Sequence, residues 1–382
     1  MQHQRMEEMK VLILADINSP HTLKWITTLR EKNIEVEVFS LANPKEPLKE
    51  YMQGIPVYSE SFSDNYFNRD ETYLKKLLYI KSLFRLRKLV KKIKPDILHA
   101  HYASSYGLLG ALVNFHPFVV SVWGSDVFDF PRKSAIHKLI MKYVFRKADK
   151  ILSTSNIMAK ETNLYTQKEI AVTPFGVDTE KFQPGITNNV FLGKSIVIGT
   201  VKALEKKYGM KYLLKSFSII KLKHPELIIE LLIVGGGTEE KQLKELAKQL
   251  GIESDTTFTG KISPTEVNKY HSQLSIAVFP SIYDSESFGV AVLEASACQV
   301  PVIASRIGGL TEVVQDGITG ILVPPRDEVA LAEAIEKLVL DKSLRKRMGQ
   351  AGRIFVKQKY ELIACVNLMV KVYKDVTGIQ QT

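Results

Sequence analysis

A chain of 382 residues, 45% of them hydrophobic, can bury more than one core, and at about 100–200 residues per domain it divides into two. Its only cysteines, Cys298 and Cys365, lie in no metal or redox spacing, which argues against a disulfide framework or a zinc site and fits a reducing, cytoplasmic compartment. The formal net charge of +11 calls for an acidic partner, whether nucleic acid, anionic lipid or a phosphate-bearing substrate.

The polar stretch Met1 to Glu8 shows no signal-peptide pattern, and no apolar run in the chain approaches the roughly 18 residues that span a bilayer. Strand-like and helix-like runs then alternate: Val11 to Ala15, the amphipathic Thr22 to Lys32, and Val36 to Ser40. From Tyr73 to Lys94 the chain carries Lys75, Lys76, Lys81, Arg85, Arg87, Lys88, Lys91, Lys92 and Lys94 with no acid, interleaved with leucines, Phe84, Val90 and Ile93. That is a basic amphipathic helix. Strand patterns follow at Ile97 to His101, Val119 to Val122 and Ile151 to Thr154, with a second basic, helix-spaced stretch from Arg132 to Lys147. Two readings fit both basic helices: crossover helices packed on a sheet with the basic side in water, or helices lying on an anionic membrane surface. No helix-turn-helix, RNP-like or zinc-finger pattern accompanies the charge, so nucleic acid is not expected.

Past Gly176-Val177-Asp178 the sequence loosens at Gln183 to Asn189 into a linker. A second series begins at Ile196 to Gly199 and continues with Leu227 to Val234, Thr257 to Thr259, Ile276 to Phe279, Val302 to Ala304 and Ile321 to Val323. Such wiring predicts an α/β chain of two Rossmann-like, doubly wound parallel-sheet domains, at 1–185 and 190–360. The final helix, Leu362 to Val376 within 361–382, can pack on either.

Ligands of open parallel sheets sit beyond the carboxyl ends of the strands. That nominates Asp16 to Thr22, His101 to Gly107 and Trp123 to Asp126 in the first domain. In the second it nominates Gly199 to Gly209, Gly235 to Gly237, Gly260 to Ser263 and the loop at Glu286. Gly235 to Gly237 does not complete G-x-G-x-x-G, which leaves a nicotinamide dehydrogenase without its fingerprint. In Pro280 to Ala295 two carboxylates, Glu286 and Glu294, bracket a Phe288-Gly289 step where a helix begins, a place where free N–H groups and the helix dipole favour phosphate. Eight positions apart, they would lie roughly 12 Å from each other along a helix, beyond the about 5–9.5 Å of a glycosidase pair. They have separate tasks, or are ordinary helix-start and helix-surface acids.

The run Pro280 to Pro325, with Glu286-Ser287-Phe288-Gly289, Glu294-Ala295, Pro301-Val302-Ile303-Ala304, Gly308-Gly309, Glu312-Val313-Val314 and Asp316-Gly317, resembles the retaining GT-B glycosyltransferases of family 4. The likeness extends to Pro174 to Asp178, Ile233 to Gly237, Phe258 to Gly260, Ala148-Asp149 and Gly124 to Asp126. It implies GT-B, two domains with the nucleoside-diphosphate sugar on the second and the acceptor on the first, and the last helix crossing back to the first. Carried residue by residue, Glu286 would contact the sugar, the backbone N–H groups around Phe288, Gly289 and Val290, with Ser287 beside them, would hold sugar and phosphate, and Glu294 would bind the ribose. Gly235 and Gly236 would line the donor, Lys261 and Ile262 would clamp the base, and Lys202 with Lys206 or Lys207 would neutralise the diphosphate, unless the latter two are plain surface charge. Fixed cations and a helix N-terminus stabilise a leaving diphosphate without a metal, so the resemblance implies no cofactor beyond the donor substrate.

Several positions depart from the family pattern, in both domains. Ile17 to Thr22 replaces its glycine-rich loop, Trp123 a frequent histidine, and Phe175 a frequent asparagine; Gln299 and Ser287 replace glycines. Ser19, His21 and Trp123 are the expected acceptor contacts, with Asp126 and His101 expected beside the chemistry; His21 and His101 each have a purely structural alternative. A lipid-linked or polymeric acceptor, reached from an anionic membrane, fits the basic helices. The rival readings are a nucleotide-sugar epimerase or a phosphorylase on the same fold, and a non-catalytic partner subunit of a membrane-associated transferase.

Overall fold

Runs of valine, isoleucine and leucine too short for helices become strands covered on both faces, as parallel sheets require. The computed structural model describes residues 9–45, 54–62, 73–185 and 195–378. The polar start at 1–8 and much of the expected linker, within 186–194, lie outside the described residues. The chain forms two units, Met1–Phe175 with Cys365–Thr382, and Gly176–Ala364.

In the first unit the order is β1 (Lys10–Leu14), α1 (Pro20–Glu31), β2 (Glu35–Ala42), β3 (Val57–Phe62), α2 (Tyr73–Ile93), β4 (Ile97–His101), α3 (Tyr106–Val113), β5 (Phe118–Val122), α4 (Ser125–Phe128), α5 (Ala135–Lys147), β6 (Lys150–Ser153), α6 (Asn156–Thr162) and β7 (Ile170–Val172). Among the described residues they build a sheet ordered β3-β2-β1-β4-β5-β6-β7, every pair parallel. The second unit runs β8 (Ile196–Val201), α7 (Met210–Lys223), β9 (Ile229–Val234), α8 (Glu240–Gln249), β10 (Thr256–Phe258), α9 (Val267–His271), β11 (Ile276–Phe279), α10 (Val290–Ala297), β12 (Val302–Ser305), α11 (Leu310–Val313), β13 (Gly320–Val323), α12 (Glu328–Leu340) and α13 (Lys342–Lys359). Its sheet is ordered β10-β9-β8-β11-β12-β13, again all parallel. In both sheets the strand order reverses beside the first strand, the switch point at which doubly wound folds bind ligands.

The two basic stretches form α2 and α5. Leu86, Leu89 and Val90 of α2 and Met141, Val144 and Phe145 of α5 enter the first unit's core, while Lys81, Arg85, Arg87, Lys88, Lys138 and Lys142 face water. Both are packed crossover helices. They nonetheless keep Ile80, Phe84, Ile136 and Leu139 in solvent, at 50%, 59%, 68% and 64% exposure.

The unit boundary falls at residue 175 rather than at 185. Val177 N–H donates to the Tyr360 carbonyl at 2.7 Å, and the Arg353 guanidinium donates to the carbonyls of Thr179, Phe182 and Ala297. Residues 176–185 are thereby tied to α10 and α13 of the second unit. The last helix, α14 (Leu362–Thr377), belongs to the first unit from Cys365 onward. Its fully buried Tyr373 places its hydroxyl 2.7 Å from His99 Nδ1, and His99 Nε2 meets Ser121 Oγ at 2.8 Å.

Candidate active site

The second unit's switch point lies between β8 and β11, and the loops leaving those strands carry the main charged pair. Lys202 Nζ, just past β8, lies 3.2 Å from Glu286 Oε1 and 3.1 Å from Oε2, with side chains only 16% and 10% exposed. Ser281 Oγ donates to Glu286 Oε2 at 3.2 Å. Burial works against the Lys202 charge, yet Glu286, helped by Tyr208 and Glu294, holds the ammonium's pKa above its ordinary value. The Tyr208 ring is a shared platform, with Lys202 Nζ 4.3 Å and Lys207 Nζ 4.9 Å from its centre. Lys206 and Lys207 are exposed in the short turn Lys206–Tyr208, and Ile282 N–H donates to the Lys207 carbonyl at 2.9 Å. The two loops are therefore bonded to one another, and Lys202, Lys207 and Glu286 converge.

After Glu286 the chain enters α10 through Gly289, whose φ of 87° suits glycine. A Cβ there would stand 2.8 Å from Leu310 Cδ2. No side chain caps this helix at Gly289, and the half-exposed Val290 opens its first turn. Phe288 is buried against Tyr360 at 5.7 Å between ring centres, which turns it away from solvent, whereas Ser287 is half-exposed. The Gly308-Gly309 step presses on this loop from behind. Gly309 N–H donates to the Glu286 carbonyl at 2.8 Å, and a Cβ on Gly309 would lie 2.4 Å from the Ser287 carbonyl oxygen.

Glu294 sits about one helical turn beyond Val290, 19% exposed, with its Oε2 3.5 Å from Nε2 of the fully buried His271. Gly235 N–H donates to the Gly260 carbonyl at 3.1 Å, joining the loops after β9 and β10. This brings the half-exposed Gly235 and Gly236 beside the exposed Lys261 and half-exposed Ile262. Burial pushes the Cys298 thiol up to about 11, leaving it an unreactive core group.

The first unit gathers the expected acceptor residues at the carboxyl ends of its strands. His21 stacks on Phe175 at 4.2 Å, Trp123 meets Phe175 edge-on at 5.1 Å, and His101 lies 4.8 Å from Trp123. Ser19 precedes α1 at its N-cap without a side-chain capping bond. Three positions that depart from the family pattern are thus one aromatic cluster. Burial pushes the His101 imidazole down to about 3, so it is neutral, and its buried Nδ1 has no hydrogen-bond partner. Asp126 is placed differently from a proton-transfer group. Fully buried, it accepts from Ala103 N–H at 2.8 Å, Gly124 N–H at 2.8 Å and Trp123 N–H at 3.1 Å, clamping the loops after β4 and β5. Ser281, Tyr208, His271 and His99 escape a sequence reading, because a serine or tyrosine in a loop and a histidine on an apolar face carry no spacing signal.

Residues 186–355 match the model of the glycosyl transferases group 1 family, and residues 10–155 match the glycosyl transferase 4-like model. By both of its halves the chain is a glycosyltransferase. An uncharacterised glycosyltransferase of Methanocaldococcus jannaschii is 27% identical, over 90% of this transferase and 95% of its own length. A capsular polysaccharide biosynthesis glycosyltransferase of Staphylococcus aureus, CapM, is 28% identical over 93% and 94%. Among solved structures, that of Anabaena HepE in complex with UDP and glucose superposes with a TM-score of 0.78 at 18% identity, covering 96% of this transferase and all of that chain. The fold of the transferase is GT-B. No helix of the described residues is long and apolar enough to cross a membrane.

Proposed function

We propose that this glycosyltransferase moves a hexose-type sugar from a nucleoside diphosphate to an acceptor hydroxyl, with retention at the anomeric carbon and without a metal ion. The observation that carries the reading is the Lys202–Glu286 pair at the switch point, beside the uncapped N-terminus of α10. In this reading the bond from the anomeric carbon to the diphosphate breaks while the bond to the acceptor oxygen forms on the same face. The acceptor's proton passes to the leaving phosphate oxygen. Lys202, Lys207 and the first N–H groups of α10 stabilise the charge developing on that diphosphate, and Glu286 faces the sugar. Ser287 and Val290 border the sugar and phosphate. Glu294 takes the ribose, and the Gly235, Gly236, Lys261 and Ile262 loops take the base. Lys206 adds positive potential at the rim.

A thermal-shift screen of UDP-, GDP- and ADP-sugars tests the donor class, because a ligand bound only by the folded state raises the midpoint according to its affinity. One base series is expected to stabilise the protein. No shift with any of them removes the proposal. Glu294→Ala should raise the donor KM about tenfold and leave kcat within a factor of about two, the signature of lost uniform binding.

The acceptor belongs, on this reading, to Ser19, His21 and Trp123 of the first unit, with His101 offering a neutral imidazole beside them. HepE's complex with UDP and glucose and CapM's role in capsular polysaccharide biosynthesis lend support to a sugar donor and an envelope glycan. A peripheral contact with anionic membrane is favoured by the solvent-exposed Ile80, Phe84, Ile136 and Leu139 among lysines and arginines. Vesicles containing phosphatidylserine should sediment the protein at low salt and release it at about 1 M salt, where the Debye length shrinks to about 3 Å. Equal failure to bind charged and neutral vesicles at low salt would discard the membrane contact.

A further inference from the structure

His271 closes α9 and packs beneath α10, fully buried, with neither ring nitrogen in a hydrogen bond. A buried imidazole with no partner is uncommon, since such groups are expensive to leave unpaired. Its surroundings are rigid. The Phe182 ring lies edge-on at 6.1 Å, the segment bearing Phe182 is held by Arg353, and Arg353 also bonds the Ala297 carbonyl at the end of α10. Ser272, the next residue, donates to the Asn268 and Gln183 carbonyls. The imidazole therefore has little freedom to turn elsewhere, and the polar atom it faces is Glu294 Oε2 at 3.5 Å, just beyond a well-formed bond.

We infer that His271 is a positioning residue for Glu294: its Nε2–H donates to one carboxylate oxygen and leaves the other turned outward for the ribose diol of the donor. This rests on the assignment of Glu294 to the ribose. A carboxylate with one oxygen anchored to a buried donor presents the second in a fixed direction, so both ribose hydroxyls meet an acceptor already in place. A small movement of Glu294 toward the interior closes the 3.5 Å gap and satisfies the imidazole at the same time. Nucleotide binding and the pairing of His271 are then coupled, while the chemistry at the anomeric carbon is untouched.

The test compares two probes on the full chain: the nucleoside diphosphate among UDP, GDP and ADP that raises the thermal midpoint most, and inorganic pyrophosphate, which has no ribose. His271→Phe should weaken the nucleoside diphosphate on the order of tenfold, the loss of one charge-assisted hydrogen bond, and leave pyrophosphate binding unchanged. Donor KM should rise by a similar factor with kcat nearly constant, and His271→Gln, which keeps an N–H donor, should recover most of the loss. In a Glu294→Ala background, His271→Phe should add nothing. Equal weakening of both probes, or unchanged nucleotide affinity in His271→Phe while Glu294→Ala weakens it, overturns the inference alone. Unchanged nucleotide affinity in Glu294→Ala removes the ribose assignment and this inference with it. Loss of folding in both His271 variants makes the histidine structural and overturns it as well.

Discussion

Lys202→Ala and Glu286→Ala each lower kcat by about 100- to 1,000-fold, the range expected when a pre-organised group facing developing charge is removed. A competing explanation is simple destabilisation, since deleting one member of a buried ion pair leaves the other uncompensated, at about 3–5 kcal/mol in the fully buried limit. Here the limit is not reached. The side chains retain 16% and 10% exposure, and Ser281 still donates to Glu286 when Lys202 is gone. With whole-protein stabilities of about 5–15 kcal/mol, most molecules stay folded, and the loss in kcat reports on chemistry. The double variant separates the two effects. Lys202→Ala with Glu286→Ala should be less destabilised than the sum of the single changes, because no lone charge remains, yet no more active than either. Transfer assays and thermal midpoints on the same preparations decide it, and near-normal transfer in both single variants would remove the site assignment.

The sequence made the central strands legible because they are buried on both faces and read as uninterrupted apolar runs. Ile97 to His101 and Ile276 to Phe279 match β4 and β11 residue for residue. Two edge strands stayed hidden. Val57–Phe62 is half serine and glutamate, and Ile170–Val172 has only three residues, so neither carries a clear period. The donor loop was legible for a different reason: glycines at 289 and 309 are needed where a Cβ would strike Leu310 or the Ser287 carbonyl, and such demands leave a dense motif. The aromatic cluster of His21, Trp123 and Phe175 could be read only as three separate departures. Their contact depends on loops after β1, β5 and β7 converging, a consequence of sheet order that spacing along the chain does not encode.

Asp126→Asn is expected to lower the thermal midpoint markedly and to leave the shape of the kcat/KM pH profile intact. The carboxylate accepts three backbone N–H groups while fully buried. An amide in its place keeps one acceptor oxygen and points an NH2 at donors that need an acceptor. Stranding even one buried N–H costs about 1–3 kcal/mol, so Asp126→Asn should approach Asp126→Ala in stability. Burial raises the Asp126 pKa, while the three backbone donors pull it back, a balance suited to a fixed acceptor that never needs to trade its proton. If Asp126 instead served as a general base, the asparagine variant would keep its midpoint and lose the acid limb of the profile. The geometry favours the first outcome, because a base must offer a free lone pair to the acceptor hydroxyl, and here the lone pairs are spent holding Ala103 to Trp123 and Gly124. Activity lost in Asp126→Asn should then track the displacement of Trp123 and His101, and should appear chiefly as a raised KM for the acceptor.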